Sequence, residues 1–366
     1  MSIIIDLSEK VKAAIQEDGP LSIADFIKFT LQHYEQGYYP TAESSIDKGG
    51  DFISAPEIST LFGEIIGKWC INFWQSLKRP KKFNLIELGP GNGVLMRDLL
   101  KATQNVPSFH DNMDIHLIEI NPNLIQNQIK NIKHPRIKWH KSYDKIKDGL
   151  SIIIANEFFN TLPINQYIKK KNKWYINMVD TNDDQNHLYI NYYDANENIR
   201  AFLNKEYRDA PEGAIVEIHD EANILTKKIT EKIKKHGGIA LIIGCGYTEN
   251  KNRDFISTLQ SIRDQKFYPL FKKIGATNIK SHVNFSALAD TAKIYGTSIH
   301  GPITQREFLL NMQIDALKDS FLRNIKNKQQ KKIITSGYER LINPEQLGDL
   351  FKIMAIAGKQ PPSFGF

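Results

Sequence analysis

The residues best suited to chemistry lie at the end of a short apolar run and in the glycine-rich turn that follows it. Asn84-Leu85-Ile86-Glu87-Leu88 is typical of a buried strand and runs directly into Gly89-Pro90-Gly91-Asn92-Gly93. The next residues, 94–100, have the apolar spacing of a helix. Open α/β folds bind nucleotide cofactors with a strand, a glycine turn and a helix, so this segment is predicted to hold a cofactor.

The spacing of the glycines distinguishes two classes of cofactor. A dinucleotide fingerprint has glycines at positions one, three and six, whereas the sixth position counted from Gly89 is Val94. Glu87 stands two residues before Gly89, where a pyrophosphate gains nothing from a carboxylate. S-adenosyl-L-methionine has no phosphate and carries an ammonium and a sulfonium, which suit such a carboxylate. The pattern therefore predicts an S-adenosyl-L-methionine site formed by Glu87, Gly89, Pro90, Gly91 and Gly93.

Three later strands end in further candidate cofactor contacts. Glu119 lies near the end of the strand 115–120, where a carboxylate can accept hydrogen bonds from both ribose hydroxyls. The alternative is that Glu119 is a solvated acid at a strand end without a role in binding. Ser142 follows the strand 137–140, where an adenine edge would be met, and Asn156 ends the strand 151–156. Ligands of open α/β sheets bind at this carboxyl edge.

The elements that must position these residues follow an α/β pattern. Strands alternate with helices from about residue 81 to 303, which predicts a Rossmann-like core with a parallel sheet. Residues from about 164 to 212 instead alternate like antiparallel strands and predict a β insertion, after which 214–218 and 237–244 resume the core. Residues 1–80 and 304–366 have helical spacing. Gly63 and Gly67 fall four apart on one predicted helix, which favours close packing over a phosphate-binding loop.

Composition narrows the remaining classes of function. The net charge is +7, but the lysines are scattered, and no aromatic residues interleave the clusters at 169–173 and 326–332. A solvated surface is therefore favoured over a nucleic-acid footprint. No apolar run reaches the roughly 18 residues that a membrane span needs. The first residues lack a signal pattern, and Cys70 and Cys245 lie far apart, so free thiols and a cytoplasmic location are expected. The ten histidines show no metal-ligand spacing.

Several motifs together resemble the MidA-like methyltransferases, whose mitochondrial members are assembly factors for respiratory complex I. The resemblance covers nearly the whole chain. Its most specific parts are the run from Asp51 to Glu64 and Asn156-Glu157-Phe158-Phe159-Asn160-Thr161-Leu162-Pro163. The glycine turn after Glu87 also fits.

The resemblance implies a fold and a reaction. The fold would be a class I methyltransferase core with helical N- and C-terminal additions, and S-adenosyl-L-methionine would be the cofactor. The reaction would methylate an arginine of a complex I subunit, the counterpart of a D-type subunit of bacterial NADH-quinone oxidoreductase. Carried over to this chain, Glu157 would face the methyl group, and Asp51 or Glu57 would be the second catalytic carboxylate. The start of a helix is an equally good reason for an acid at Glu57.

This sequence also departs from the family pattern. Asn92 stands where an Arg is usual, Asn160 where an Asp is usual, and Gly244-Cys245-Gly246-Tyr247 replaces Asp-Tyr-Gly-Tyr. Asn278 and Asn284 fall where acids are usual in a downstream motif. A non-catalytic assembly factor that binds S-adenosyl-L-methionine therefore stays open, as does a methyltransferase acting on RNA or a small molecule. A protein substrate is expected, and the sequence is compatible with a homodimer without requiring one.

Overall fold

Two units, each with its own sheets, make up the part of the chain that the computed structural model describes: residues 6–33, 35–41, 54–182, 184, 187–248, 254–358 and 364–366. The core unit comprises Glu43–Asn160, Leu225–Thr248 and His282–Phe366. The insertion unit comprises Met1–Ala42, Thr161–Ile224 and Glu249–Ser281.

The helices of the described residues occur in both units. They are α1 (Leu7–Asp18), α2 (Ile23–Gln32), α3 (Tyr38–Thr41), α4 (Ala55–Ile58), α5 (Thr60–Ser76), α6 (Val94–Thr103), α7 (Pro107–Asn112), α8 (Pro122–Asn131), α9 (Glu197–Glu206), α10 (Asp220–His236), α11 (Phe285–Ile294), α12 (Gln305–Asn311), α13 (Ile314–Asn324) and α14 (Lys328–Ile342). Short turns of 3-10 helix cover Tyr143–Lys145 and Phe159–Thr161, and a kinked turn with non-helical backbone at Gln346 covers Pro344–Gly348.

The strands follow the same numbering along the chain. They are β1 (Leu21–Ser22), β2 (Phe83–Leu88), β3 (Met113–Ile118), β4 (Ile137–His140), β5 (Ser151–Asn156), β6 (Asn165–Lys170), β7 (Lys173–Thr181), β8 (Leu188–Asp194), β9 (Ile215–Ile218), β10 (Gly238–Tyr247), β11 (Gln260–Arg263), β12 (Lys266–Phe267), β13 (Asn278–Lys280), β14 (Val283–Asn284), β15 (Ser298–Thr304) and β16 (Phe351–Ala357).

The core unit is built on a sheet of order β15-β16-β10-β5-β2-β3-β4. Strands β10, β5, β2, β3 and β4 are parallel, and β16 is antiparallel to both of its neighbours. Every residue of β2 is buried, as expected for a central parallel strand covered on both faces. The Rossmann-like fold predicted from the alternation of strands and helices is confirmed, and the carboxyl ends of β2, β3 and β5 meet at one edge of this sheet.

The insertion unit contains the predicted antiparallel element. Strands β6, β7 and β8 form consecutive hairpins, and β1 adds to β7. The expectation that residues 214–218 return to the core sheet is wrong, because β9 pairs antiparallel with β6, with Asn165 opposite Ile218. Such long-range pairing leaves no local signal, since β9 is as apolar as a core strand.

The sequence-based boundaries 1–80, 81–303 and 304–366 do not coincide with the two units. Residues up to Ala42 cluster with the insertion, whereas α5 belongs to the core unit and packs on α6. The chain beyond residue 304 is helical as far as Ile342, but β16 then returns to the core sheet, so this region is not purely helical.

Helices α5 and α6 pack closely at two glycines, as the sequence predicts. A Cβ atom at Gly63 would lie 2.5 Å from the Cβ of Asp98, and one at Gly67 would lie 3.2 Å from the carbonyl oxygen of Leu99. The close approach holds α6, whose first residue follows the glycine turn, against the buried helix α5.

The end of β10 is fixed by a side chain from the turn after β5. Asn160 is buried, and its Nδ2 donates to the carbonyl oxygen of Cys245 at 2.7 Å. A Cβ atom at Gly244 would lie only 2.4 Å from Asn160 Oδ1. Glycine at 244 and asparagine at 160 therefore form one packing arrangement, in which the amide occupies the space that a side chain at 244 would need.

We expect Gly244→Ala to destabilise the protein by about 1–3 kcal/mol, because the added methyl group overpacks the site and displaces Asn160. Asn160→Ala alone should cost about 1 kcal/mol through loss of the bond to Cys245. The loss of unfolding free energy in the double variant should be smaller than the sum of the two single losses, since removing the amide frees the space for the methyl group. Urea denaturation of the four proteins measures this coupling, and strict additivity would contradict it.

Candidate functional site

The glycine turn after β2 brings bare backbone to the edge of the core sheet. Gly89, Gly91 and Gly93 have φ of 64°, 55° and 78°, a region that favours glycine. A Cβ atom at Gly89 would meet Phe158 Cδ2 at 2.8 Å, and one at Gly93 would meet Ile132 Cδ1 at 2.8 Å. The turn is anchored by the Gly89 N–H, which donates to the carbonyl oxygen of Ile118 at 3.0 Å.

Glu87 places a carboxyl group in the interior beside this turn. The residue is 2% exposed, and its Oε2 has no hydrogen-bond partner among the described residues. Burial, and to a smaller extent the charge of Glu119, raises the pKa of Glu87 to about 8. A buried carboxyl group with an unused acceptor costs free energy unless a ligand supplies a donor or a cation. Glu87 is thus suited to a ligand that carries positive charge.

Glu119 follows β3 and is held by the start of α8. Its Oε1 accepts from the backbone N–H groups of Ile120 at 2.8 Å and Asn121 at 2.9 Å, and its Oε2 accepts from Gln128 Nε2 at 3.3 Å. Burial raises the pKa of Glu119 to about 7, although the bonds from Asn121, Ile120 and Gln128 lower it. Because two backbone bonds already occupy Oε1, Oε2 is the oxygen better placed to serve a ligand hydroxyl.

Gln128 connects the glycine turn to the end of β3. Besides the bond to Glu119, its Nε2 donates to the carbonyl oxygen of Gly91 at 2.7 Å, and its Oε1 accepts from Trp139 Nε1 at 2.8 Å. The side chain is fully buried. Sequence reasoning missed Gln128, because a glutamine on an amphipathic helix has no signal until α8 is placed over the turn.

Glu57 lies against the glycine turn through Asn92. Asn92 Nδ2 donates to Glu57 Oε1 at 3.3 Å, and Asn127 Nδ2 donates to Asn92 Oδ1 at 3.2 Å. Helix α4 ends at Ile58 and α5 begins at Thr60, since the chain is extended at Ser59. Glu57 is therefore in α4, and its contact with Asn92 adds to the helix-start explanation for an acid there.

Glu157 immediately follows β5 and has an uncommon backbone conformation. Its φ is +59°, and its N–H donates to the carbonyl oxygen of Ile243 at 2.7 Å. Left-handed backbone at a residue other than glycine costs about 1 kcal/mol and is often kept at functional sites. The preceding Asn156 has a buried Oδ1 without a partner among the described residues. The turn thus offers a carboxylate and an amide oxygen at the carboxyl end of β5.

The other predicted site residues are less well defined. Ser142 is partly exposed just after β4, where its carbonyl oxygen accepts from the Lys145 N–H at 3.2 Å. Pro90 closes the glycine turn by accepting from the Gly93 N–H at 2.8 Å. Asp51 lies outside the described residues. The structure therefore brings together the Glu57, Glu87 and Glu119 regions at the glycine turn and places Glu157 after a neighbouring strand.

The described residues contain no candidate metal cluster. No group of three or more His, Cys, Asp or Glu side chains could hold a metal ion there. His140 does pair with a neighbour, His116, with 2.9 Å between Nδ1 of His116 and Nε2 of His140. Cys70 and Cys245 are free thiols, as predicted. No helix in the described ranges is long and apolar enough to cross a membrane.

Comparison with known proteins assigns the chain to a family. Residues 65–303 match a family of S-adenosyl-L-methionine-dependent methyltransferases. The chain is 30% identical to protein arginine methyltransferase NDUFAF7, mitochondrial, of Danio rerio, over 97% of this chain and 86% of that protein. It is 28% identical to the Homo sapiens protein of the same name, over 94% of this chain and 82% of that protein.

A solved structure has the same fold. A superfamily member from Burkholderia thailandensis, bound to S-adenosyl-homocysteine, superposes with a TM-score of 0.86 at 22% identity, covering 98% of this chain and 93% of that one. The glycine turn, the buried carboxyl of Glu87 and the acid after β3 are thus explained together: the chain belongs to the S-adenosyl-L-methionine-dependent methyltransferases.

Proposed function

We propose that this methyltransferase acts on an arginine of a protein, and that the protein is a D-type subunit of respiratory complex I. The observation that carries the proposal is Glu157, a buried carboxylate fixed by left-handed backbone at the carboxyl end of β5. A carboxylate pairs with a guanidinium through two parallel hydrogen bonds, a geometry specific to arginine. The names of the relatives from Danio rerio and Homo sapiens support an arginine substrate.

The residues at the glycine turn fit the cofactor. Glu87 Oε2 and Asn156 Oδ1 are buried acceptors without partners among the described residues, and S-adenosyl-L-methionine offers an ammonium and hydroxyl groups. Glu87, Gly89, Pro90, Gly91 and Gly93 would hold the methionine part, and Glu119, Ser142 and Asn156 would hold the nucleoside part. When bound, the cofactor supplies an electrophilic methyl group.

Glu157 would then orient the acceptor. A guanidinium is protonated at neutral pH and is a poor nucleophile until its charge is localised away from the attacking nitrogen. Glu157 binds two of its N–H groups, holds one nitrogen in line for displacement and takes the proton that this nitrogen loses. Glu57, next to the turn through Asn92, is the second carboxylate of the proposal, with Asp51 as the other candidate for that role.

A binding-only assembly factor is the second candidate. It is favoured by the neutral Asn160 and Gly244, which stand where the resembled family has acids. Both candidates require the same cofactor site, so cofactor binding alone does not separate them. The cytoplasmic location expected from two free thiols is part of the same proposal.

The cofactor site predicts that affinity depends on pH. In the free protein the raised pKa values keep Glu87, and in part Glu119, protonated near pH 7. A cationic ligand favours the ionised carboxylates, so affinity for S-adenosyl-L-methionine should rise about tenfold or more from pH 6.0 to 7.5, with release of protons. This range lies below the pKa of about 8 of an α-amino group, so the ligand keeps its charge.

Calorimetry in buffers of different ionisation enthalpy measures both quantities. Glu87→Gln cannot ionise and should therefore bind more weakly at pH 7.5, with a smaller pH dependence and fewer protons released. A flat profile in the wild type, or an unchanged slope in Glu87→Gln, would rule out a role for this carboxyl group in binding the cofactor.

The role of Glu157 predicts that a variant at this position binds the cofactor but transfers the methyl group poorly. Glu157→Gln keeps the shape of the side chain but removes its charge. A charged hydrogen bond to the guanidinium is worth about 1.5–3 kcal/mol, so the rate of methylation should fall about 10- to 150-fold. Cofactor affinity should stay within twofold of the wild type. Glu206→Gln, on the surface of the insertion unit, is the matched control and should keep full activity.

Purified protein with labelled S-adenosyl-L-methionine and a D-type complex I subunit is the assay, and mass spectrometry locates the methyl group. A methylated arginine made by the wild type and reduced in Glu157→Gln supports the proposal. If the wild type binds the cofactor but labels no arginine, the binding-only function replaces it. Equal activity of the two proteins would remove Glu157 from the reaction.

A further inference from the structure

A cleft in the C-terminal part of the core unit has a chemistry that the methyl-transfer site does not use. It encloses about 610 Å³ between α12, the end of α14 and the turn Pro344–Gly348. Its polar lining consists of two arginines, one acid and three neutral side chains: Arg306, Arg340, Glu339, Ser336, Asn343 and Gln346.

The two arginines have no acidic partner among the residues that the structure describes. Arg306 is partly buried, and its Nη1 donates to the carbonyl oxygen of Ile342 at 3.3 Å. Arg340 is exposed, and neither arginine forms a salt bridge within the described residues. Asn343 Oδ1 accepts from the Glu345 N–H at 2.9 Å, which leaves the amide N–H groups of Asn343 for a ligand. The cleft thus offers more donors than the chain itself satisfies.

The positive surface continues along α14. Lys332, Ser336 and Arg340 follow one another at intervals of four residues, so they share one face of the helix, and all three are exposed. α14 contains Lys328, Lys331, Lys332 and Arg340 and only one acid, Glu339. A ligand that fills the cleft can therefore extend along a basic helix face.

We propose that this cleft binds an acidic segment of a partner protein. A guanidinium fork matches a carboxylate in two parallel bonds, and the volume exceeds what a single inorganic anion fills. A nucleic acid fits less well, because none of the described residues that line the cleft is aromatic and could stack on a base. Glu339 can accept a backbone N–H of a bound peptide.

Helix α14, which lines the cleft, also packs on the helix that contains Glu57. A Cβ atom at Gly337 would lie 3.0 Å from the carbonyl oxygen of Ile58, so this helix packs directly on α4, which contains Glu57. Ser336 and Arg340 lie one residue before and three residues after that contact. A segment held in the cleft would therefore lie along the helix that packs on α4.

Fluorescence anisotropy with the full-length protein tests the proposal without any methyl transfer, so it can fail or succeed independently of the proposed function. The probe is a fluorescein-labelled decapeptide that alternates Glu and Gly, and its matched control replaces each Glu by Gln. We expect the Glu peptide to bind at least tenfold more tightly than the Gln peptide, because only carboxylates satisfy the guanidinium forks. Equal binding of both peptides would overturn the proposal.

Two double variants distinguish peptide binding in the cleft from attraction to the general positive charge of the protein. Arg306→Gln with Arg340→Gln should weaken binding of the Glu peptide at least tenfold, and Arg340→Gln alone, which removes no internal contact, should weaken it severalfold. Arg208→Gln with Arg323→Gln removes the same charge from exposed positions elsewhere and should change affinity less than twofold. An equal loss in this control would overturn the proposal in favour of unspecific attraction.

Competition identifies the class of ligand. Inorganic phosphate at 10 mM and a 12-nucleotide single-stranded DNA are added to the peptide complex at constant ionic strength. Neither competitor should raise the apparent Kd of the Glu peptide more than twofold. Displacement by phosphate alone would make the cleft a site for a free anion, and stronger binding of the DNA, lost in the Arg306 and Arg340 variant, would make it a nucleic-acid site.

Discussion

The candidate cofactor site is arranged around a buried carboxyl group, one oxygen of which has no partner among the described residues. Glu87 lies in a strand covered on both faces, so its side chain cannot reach water, and no described residue satisfies its Oε2. Burying an ionised carboxylate costs several kcal/mol even after relaxation, so the free protein keeps the group protonated, as the pKa of about 8 indicates. A chain that only had to fold would be more stable with an apolar residue there. The cost is consistent with selection for a cationic ligand.

The surrounding residues keep this arrangement rigid before any ligand arrives. Gln128 uses both ends of its amide to connect Gly91, Glu119 and Trp139, so the turn, the acid after β3 and the end of β4 cannot move independently. The two glycines that face α6 serve the same purpose from the other side, since they hold the helix that begins at the turn. Rigid positioning of this kind lowers the entropic cost of binding, because little has to be ordered when the ligand arrives.

The sequence predicts those parts of the fold whose signal is local. The strand before Glu87, the turn and Glu119 follow from one apolar run, three glycines and one acid, and the Rossmann-like core follows from their repetition. The residues that the sequence did not reveal depend on contacts between distant segments. Gln128 approaches Gly91 from 37 residues away, β9 pairs with β6 across the insertion, and β16 joins the core sheet after four helices. Ser59 interrupts a helical pattern that is otherwise continuous, at a point where Gly337 of α14 packs against it.

The packing at β10 also changes how the neutral residues should be interpreted. From the sequence, Asn160 and Gly244 appear as two separate losses of acid, each of which weakens the case for catalysis. In the structure they form one packing arrangement, because the amide of Asn160 occupies the position of a side chain at 244 and binds the carbonyl oxygen of Cys245. This arrangement supports the end of the strand and, through the bond from Glu157 to Ile243, the turn that presents Glu157. A chain released from selection for catalysis would have no reason to keep a glutamate in left-handed backbone at that point. The retained strain at Glu157 therefore argues more strongly for an enzyme than the missing acids argue against one.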